Sequence, residues 1–343
     1  MNQKMIRCVG LILTAFFVFC EPNVWAASAE KIPAHDPSMI RENDTFYVFC
    51  TGGGITVWSS KGDMNHWKAE PSVFQKIPAW VKQEIPAFEG NIWAPDISYF
   101  RGQYYLYYAV SAFGKNTSAI GVATNKTLNP HDPDFKWVDH GKVVESYPGK
   151  TNWNAIDPNL VLDEHGQPYL VFGSFWNGLK LVRLAADGFS IDDNLNEIPT
   201  IASRKSDPNA PNPPAIDDNP PDAGGNAIEA PFIFKANDYY YLFASIDYCC
   251  KGPLSTYKII VGRSSNLYGP YLDEEGNDMA TGGGTLLLKG NEDWYAVGHN
   301  AAIHVDGRDY ILFHGYDAHD EGRSKLIIRK LNWNAAKWPV VKL

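Results

Sequence analysis

The chain repeats one sequence unit five times. Each copy opens with a polar or acidic residue beside small residues or proline, and continues through a short apolar run, a turn and an aromatic run. Turns such as REND and VDGRD, between runs rich in valine, phenylalanine and tyrosine, predict β-hairpins. The aromatic runs begin at five tyrosines spaced 58 to 72 residues apart: Tyr47, Tyr105, Tyr169, Tyr241 and Tyr310.

A hairpin repeated five times at this spacing, with further strand-like runs such as ITVWSS and SAIGVAT between copies, predicts an all-β fold, a five-bladed β-propeller. Strands do not alternate with helical segments, which argues against a two-domain α/β protein. A β-sandwich and a β-helix remain alternatives. We expect residues 30–343 to form a single propeller domain, with residues 325–343 completing the fifth blade.

The first position of each repeat is where most of the candidate functional side chains occur. Asp36 and His299 lie eleven residues before the tyrosine of their copy, and Asp157 and Glu229 lie twelve before theirs. In the second copy an alanine holds this position, and Asp96 follows two residues later. Because the inner strands of a propeller meet at the central axis, we expect Asp36, Asp157, Glu229 and His299 to converge at one mouth.

Three carboxyls in one cleft would differ in pKa. Apolar neighbours surround Glu229 and favour its protonated form, whereas Asp36, between a histidine and a proline, has a more polar setting suited to a base. Asp157 would hold the acid in place and adjust its pKa. Glycoside hydrolysis needs this division of roles. The alternative is that these acids are strand caps or ring salt bridges, and that His299 is structural instead of a ligand to an ion.

The net charge and the aromatic content of the chain limit the kinds of molecule that it is expected to bind. The formal net charge is −9, and it becomes −10 without residues 1–29, which carry two basic residues and one acid. This acidic balance argues against nucleic acid and anionic membranes as partners. Aromatic residues make up 13% of the chain, which suits both β-strands and stacking on the apolar faces of sugars.

Residues 1–29 have the pattern of a signal peptide. Lys4 and Arg7 precede the apolar run CVGLILTAFFVFC, and AASA offers a cleavage site after Ala29. We therefore expect a secreted protein, extracellular or periplasmic.

Two further features stay open. Cys249 and Cys250 are adjacent and are either buried free thiols or a vicinal disulfide, which an oxidising compartment permits. Residues 203–225, rich in proline, aspartate and asparagine, form either a border of the central cleft or an exposed insertion.

Eight motifs resemble the arabinanases of glycoside hydrolase family 43. They are HDP (35–37), WAPDI (93–97), YYAVSAFGKNTSAIGVATNKTLNP (107–130), WNAIDP (153–158), FGSFWNGLKL (172–181), IEAPFI (228–233), CCKGPLSTY (249–257) and GHN (298–300). The resemblance runs from about residue 33 to the end of the chain. It implies a five-bladed propeller that cleaves arabinofuranosyl linkages of arabinan with inversion. We expect a monomeric, endo-acting enzyme, although the sequence leaves endo and exo action open.

The resemblance also implies individual roles. Asp36 would be the general base, Glu229 the general acid, and Asp157 the residue that orients Glu229. The carboxyls of Asp36 and Glu229 would stand roughly 6.5–9.5 Å apart. His299 would lie near a central calcium ion coordinated mostly by water. Substrate contacts would come from Trp93, Phe113, Gly114, Asn154, Ser174, Phe175 and Trp176, with core packing as an alternative role for Phe175.

Two alternatives to an endo-arabinanase remain. One is an exo-acting arabinofuranosidase or β-xylosidase of the same fold. The other is an arabinan-binding propeller without catalysis.

Overall fold

The strands of the chain form five four-stranded antiparallel sheets, each with its strands in sequence order, so the predicted five-bladed β-propeller is confirmed. The computed structural model describes residues 28–204 and 226–343. The predicted signal peptide, apart from its last two residues, and most of the segment 203–225 lie outside the described residues. No helix in the described ranges is long and apolar enough to cross a membrane.

Each blade takes four consecutive strands. The first two blades contain β1 (Ser38–Glu42), β2 (Thr45–Cys50), β3 (Thr56–Lys61), β4 (Lys68–Glu70), β5 (Trp93–Phe100), β6 (Gln103–Val110), β7 (Ser118–Asn125) and β8 (Val138–Ser146). The third contains β9 (Asn159–Leu162), β10 (Pro168–Phe172), β11 (Leu179–Arg183) and β12 (Thr200–Ala202). The last two contain β13 (Ile228–Ala236), β14 (Tyr239–Ile246), β15 (Lys258–Ser264), β16 (Thr285–Lys289), β17 (Trp294–Val305), β18 (Arg308–Asp317), β19 (Ser324–Trp333) and β20 (Pro339–Val340).

Helical structure is minor. The segment α1 (Ala79–Glu84) is the α-helix of the described ranges, and short 3₁₀ turns include Ala29–Lys31, Leu195–Glu197, Gly252–Leu254 and Met279–Thr281.

Five apolar clusters fill the gaps between neighbouring blades. Strand β6 shows how one strand serves two of them. Tyr104, Leu106 and Tyr108 contribute to the cluster shared with the first blade, while Tyr105 and Tyr107 contribute to the cluster shared with the third. Alternate residues of a strand point to opposite faces, so a strand buried on both faces is apolar or aromatic throughout. This explains the five aromatic runs in the sequence.

The first strand of each blade contacts its counterpart in the next: β1 with β5, β5 with β9, β9 with β13, β13 with β17, and β17 with β1. These five strands therefore form a closed inner ring. The chain start also joins the last blade, because Ala34 N–H donates to Ser324 O (3.3 Å) and Leu326 N–H donates to Ile32 O (3.2 Å). As predicted, residues 325–343 contribute to the fifth blade, through β19 and β20.

A second set of contacts ties the inner strands together. Ser38, Asp96 and Asn159 lie near the starts of β1, β5 and β9, and each side chain accepts a hydrogen bond from a backbone N–H of the next blade. The donors are Ile97 (3.2 Å), Leu160 (2.8 Å) and Ile233 (2.9 Å). Asp96 additionally accepts from the Asn159 amide at 3.2 Å. The displaced acid of the second repeat is thus a buried link between blades.

We predict that Asp96→Ala lowers the free energy of unfolding by roughly 2–4 kcal/mol, because Leu160 N–H and the Asn159 amide lose a buried acceptor. Urea unfolding followed by tryptophan fluorescence measures this change. Asp134→Ala, at an exposed acid, serves as the control and should change stability by about 0.5 kcal/mol or less. A loss no larger than that of the control would contradict the linking role of Asp96.

Candidate active site

One residue in or just before every inner strand adopts a left-handed backbone conformation. These residues are Asp36 (φ 51°), Ala94 (φ 43°), Asp157 (φ 56°), Ala230 (φ 53°) and His299 (φ 54°). None is glycine, and this conformation costs an L-residue about 1–2 kcal/mol. Such strain clusters at functional sites. The structure also refines the predicted register, because Ala230 and not Glu229 matches Asp157. The offset arises in the third blade, whose hairpin between β9 and β10 is one residue longer, so Asp157 lies twelve residues before its tyrosine whereas the other four left-handed residues lie eleven before theirs.

The strained residues are held by the preceding blade. The N–H of Asp36 is bonded to His314 Nδ1 (3.1 Å), that of Ala94 to Thr51 Oγ1 (2.8 Å), that of Ala230 to an Asp157 oxygen (3.0 Å) and that of His299 to Ser245 Oγ (2.8 Å). Four of the five junctions therefore use a side chain of one blade to fix the backbone of the next at the central mouth.

The predicted site residues come together in one cleft at this mouth, with a volume of about 360 Å³. Its lining includes all eleven of them: Asp36, Trp93, Phe113, Gly114, Asn154, Asp157, Ser174, Phe175, Trp176, Glu229 and His299. It also includes residues that the sequence analysis did not assign to the site, namely His35, Thr51, Ser111, Ala112, Lys115, Ile156, Tyr248, Cys249, Cys250 and Lys251. We call this lined space the cleft.

Asp36 is buried beneath three hydrogen-bonding groups. Its Oδ1 lies 2.9 Å from His35 Nδ1 and 3.0 Å from His299 Nδ1, and its Oδ2 accepts from Thr51 Oγ1 at 2.6 Å. Burial alone raises the pKa of this carboxyl, but the charges and hydrogen bonds of His35 and His299 outweigh it and hold the pKa well below its usual range. Asp36 is therefore ionised near neutral pH.

Behind Asp36 lies a cluster of rings. His314 is fully buried and stacks on His35 with ring centroids 4.1 Å apart. Tyr316 Oη lies 3.2 Å from Nε2 of both histidines. Burial and the charge of His35 hold the pKa of His314 well below its usual range, so it is neutral and accepts the Asp36 N–H through Nδ1. Sequence analysis missed His314 and Tyr316, whose strand β18 reads only as an aromatic core strand.

Glu229 has a different setting. It is buried and accepts a hydrogen bond from Ser174 Oγ at 2.7 Å, and the hydroxyl of the buried Tyr257 also bonds to it. Burial raises the pKa of Glu229 and the charge of Asp36 adds to this, against the lowering effects of the two hydroxyls and of the charge of His299. Tyr257 in turn requires Gly298, because a Cβ on Gly298 would lie 2.0 Å from the tyrosine ring.

Asp157 interacts with both of these acids. One of its oxygens accepts the N–H of Ala230, the residue directly after Glu229, at 3.0 Å. Burial raises its pKa to about 8, and the neighbouring charges of Glu229 and Asp36 contribute. The cleft therefore combines one ionised carboxyl, Asp36, with two carboxyls whose pKa values are raised, Glu229 and Asp157.

The residues predicted to contact substrate differ in exposure. Phe113 is 76% exposed, whereas Asn154 and Ser174 are buried and hydrogen-bonded, Asn154 through Ser118 Oγ at 2.6 Å. Phe175 is half-buried and belongs to none of the core clusters, so it lines the cleft instead of the core. An exposed aromatic ring beside buried polar groups is a typical arrangement for holding a sugar.

His299 has one ring nitrogen available for an ion, because its Nδ1 is engaged by Asp36 and its Nε2 is not needed for that contact. Burial lowers the pKa of His299, but Asp36 reverses this and raises it to about 9, so an ion on Nε2 would have to displace a proton. Among the described residues, the one group of three close ligating side chains is His35, Asp36 and His314. Their atoms already bond to one another or to Tyr316. Within the part of the chain that the structure describes, an ion at His299 would therefore find a single nitrogen donor, and its other ligands would have to be water.

Cys249 and Cys250 form a vicinal disulfide and line the cleft. This corrects the first of the two possibilities that the sequence left open, since neither is a buried free thiol. Cys50, by contrast, is a buried free thiol.

The chain is similar in sequence and in structure to known glycosyl hydrolases. The family model of "Glycosyl hydrolases family 43" matches residues 31–339. The chain is 49% identical to the extracellular exo-α-(1→5)-L-arabinofuranosidase ArbA of Cellvibrio japonicus, covering 92% of this chain and 88% of the relative. It is 40% identical to the extracellular endo-α-(1→5)-L-arabinanase 1 of Bacillus subtilis, covering 96% and 93%. The structure of Cellvibrio cellulosa α-L-arabinanase complexed with arabinohexaose matches with a TM-score of 0.84 and 48% identity, covering 91% and 96%.

Proposed function

The chain belongs to family 43 of the glycosyl hydrolases, and we propose that it cleaves α-1,5 links between arabinofuranose units of arabinan with inversion at the anomeric carbon. The observation that carries this proposal is the pairing, in one cleft, of an ionised Asp36 with a buried Glu229 whose pKa is raised by that burial. Glycoside hydrolysis by single displacement needs such a base and such an acid. Relatives that act on arabinan or bind arabinohexaose supply the substrate class.

In the proposed reaction, Asp36 removes a proton from a water molecule, whose oxygen attacks the anomeric carbon. Glu229 donates its proton to the glycosidic oxygen as the carbon–oxygen bond breaks. Asp157 holds the backbone beside Glu229 and helps Glu229 to keep its proton until it is donated. The separation of roughly 6.5–9.5 Å between the Asp36 and Glu229 carboxyls stays a prediction, and it is the spacing that leaves room for the water.

The remaining cleft residues would bind the sugar. Trp93, Phe113 and Trp176 would stack on furanose rings, and Asn154 and Ser174 would provide hydrogen-bonding groups. Because Ser174 Oγ donates to Glu229, any contact that it makes with substrate is coupled to the position of the acid.

The mode of cleavage has two candidates. The sequence analysis predicted endo action, and the Bacillus subtilis relative at 40% identity is an endo-arabinanase. The Cellvibrio japonicus relative at 49% identity is exo-acting, and this favours release of short products from chain ends. A time course on linear arabinan separates them, because early long oligomers mean endo cleavage and one dominant short product from the start means exo cleavage.

We propose in addition that the protein is secreted and acts as a monomer. Both named relatives are described as extracellular, which agrees with the signal-peptide pattern of residues 1–29.

We predict that Asp36→Asn and Glu229→Gln each reduce kcat on linear arabinan at least about a hundredfold, because general acid–base catalysis is worth 10²–10⁴. On an aryl arabinofuranoside whose leaving group needs no proton, Glu229→Gln should retain much more activity than Asp36→Asn. Reducing-end release measures both. Glu292→Gln, at an exposed acid outside the cleft, is the control. Wild-type protein that binds arabinan without releasing reducing ends would instead support a non-catalytic arabinan-binding propeller.

The pH dependence offers a separate check on Glu229. Activity should fall as pH rises through the elevated pKa of this acid, because the proton to be donated is lost. Tyr257 stabilises the ionised form, so Tyr257→Phe should move the basic limb of kcat/KM upward by roughly 0.5–1 pH unit, equivalent to about 1 kcal/mol. Tyr295→Phe, at an exposed tyrosine, should leave the profile unchanged. A downward shift in Tyr257→Phe would contradict the assignment of Glu229 as the acid.

A calcium ion near His299 remains part of the proposal. Bound there, it would supply a fixed positive charge near the carboxyls, and His299 would be its protein ligand. If so, a chelator should lower the melting temperature and added calcium should restore it, because a ligand bound to the native state stabilises that state. His299→Ala should abolish this response. An unchanged melting temperature in wild-type protein with chelator would argue against the ion.

A further inference from the structure

The vicinal disulfide lies at the cleft, yet the proposed reaction gives it no task. Cys250 is exposed and Cys249 half-buried, and both line the cleft with their sequence neighbours Tyr248 and Lys251. Lys251 Nζ lies 4.3 Å from the centre of the Tyr248 ring, and that ring lies 6.1 Å from the ring of Phe175. Residues 248–251 therefore form one wall of the cleft, with the disulfide in its middle.

Two contacts connect this wall to the proposed base. The Cys250 N–H donates to Tyr316 Oη at 2.7 Å, and Cys250 Sγ lies 3.7 Å from His35 Nε2. His35 Nε2 lies 3.2 Å from the same Tyr316 hydroxyl, and His35 Nδ1 lies 2.9 Å from Asp36 Oδ1. A continuous chain of contacts therefore runs from the disulfide through His35 to Asp36.

The disulfide also fixes the local backbone. Cys250 has a φ of 66°, in the left-handed region that non-glycine residues avoid. A bond between adjacent cysteines closes a small covalent ring that includes their peptide group, and this ring restricts the backbone at Cys250. Once the ring is opened, Cys250 can return to a favoured conformation. The hydrogen bond from its N–H to Tyr316, which attaches the wall to the histidine cluster, depends on the present conformation of Cys250.

We propose that the Cys249–Cys250 disulfide is a positioning element of the cleft, which holds residues 248–251 as a sugar-contacting wall and holds His35 against Asp36. This role deepens the proposed function and rests on it. The sugar contact is apolar in character, since the sulfur atoms and the Tyr248 ring suit the C–H face of a furanose.

The test is reversible reduction of the full chain by a dithiol. The dithiol transfers two electrons and two protons to the sulfur–sulfur bond, which gives two thiols and a cyclic disulfide of the reagent. We expect KM for a linear arabino-oligosaccharide to rise about tenfold, with a smaller fall in kcat as His35 loosens. Reoxidation should restore both values. A loss of folded protein alone would lower the apparent kcat and leave KM unchanged, so the rise in KM is the deciding readout.

A binding measurement gives the same information without turnover. In the Glu229→Gln background, oligosaccharide binding followed by tryptophan fluorescence should weaken about tenfold on reduction. The variant C249S/C250S, which cannot form the bond, should resemble the reduced protein and should not respond to the dithiol. This variant controls for Cys50 and the other cysteines of the chain.

Unchanged KM and binding after complete reduction, verified by thiol titration, would overturn the proposal. So would unfolding of both the reduced protein and C249S/C250S, because the bond would then serve stability alone. Failure of the proposed function is a separate result, seen as oxidised wild-type protein that neither hydrolyses nor binds arabino-oligosaccharides.

Discussion

The structure depends on how the five inner strands are joined at the central mouth. Their backbone N–H groups face neighbouring blades and must be paired, since an unpaired buried N–H costs about 1–3 kcal/mol. Side chains from adjacent blades provide the pairing: His314, Thr51, Asp157 and Ser245 at the left-handed residues, and Ser38, Asp96 and Asn159 farther along the strands. These side chains therefore join neighbouring blades and fix the backbone of the residues at the central mouth.

The same ring sets the electrostatics of the cleft. Asp157 both fixes the backbone next to Glu229 and lies within reach of its charge, and His314 both fixes Asp36 and forms the floor beneath it. Asp36 and Glu229 are each buried, but Asp36 is hydrogen-bonded to imidazoles and Glu229 to hydroxyls, although the charge of His299 also acts on Glu229. The opposite directions of their pKa changes follow from this difference in partners, since burial acts on both in the same sense.

Much of this was visible in the sequence, because a propeller repeats and repeats can be aligned. The spacing of the tyrosines predicted the blades, and the residues before them predicted which acids meet. The one-residue offset of Glu229 was missed because Glu229 was matched to Asp157, whose hairpin contains one residue more than the hairpins of the other blades. His314 and Tyr316 were missed because a polar residue in a strand buried on both faces shows its role only through contacts made across the ring. Tyr257 was within a quoted motif, but nothing in that motif indicated that its hydroxyl reaches Glu229. For Cys249 and Cys250, adjacency alone allowed both redox states.

The pairing of Ile32–Ala34 with strand β19 has a consequence for how the protein acquires its fold. The two partners are separated by almost the whole length of the chain. Blades can form one after another from local hairpins, but the first and last blades meet only when the final residues are available. Contacts so distant in sequence are slow to form, so ring closure is expected to be the late step of folding. Asp36, which follows this segment directly and is bonded to His314 of the last blade, would acquire its environment only at that step.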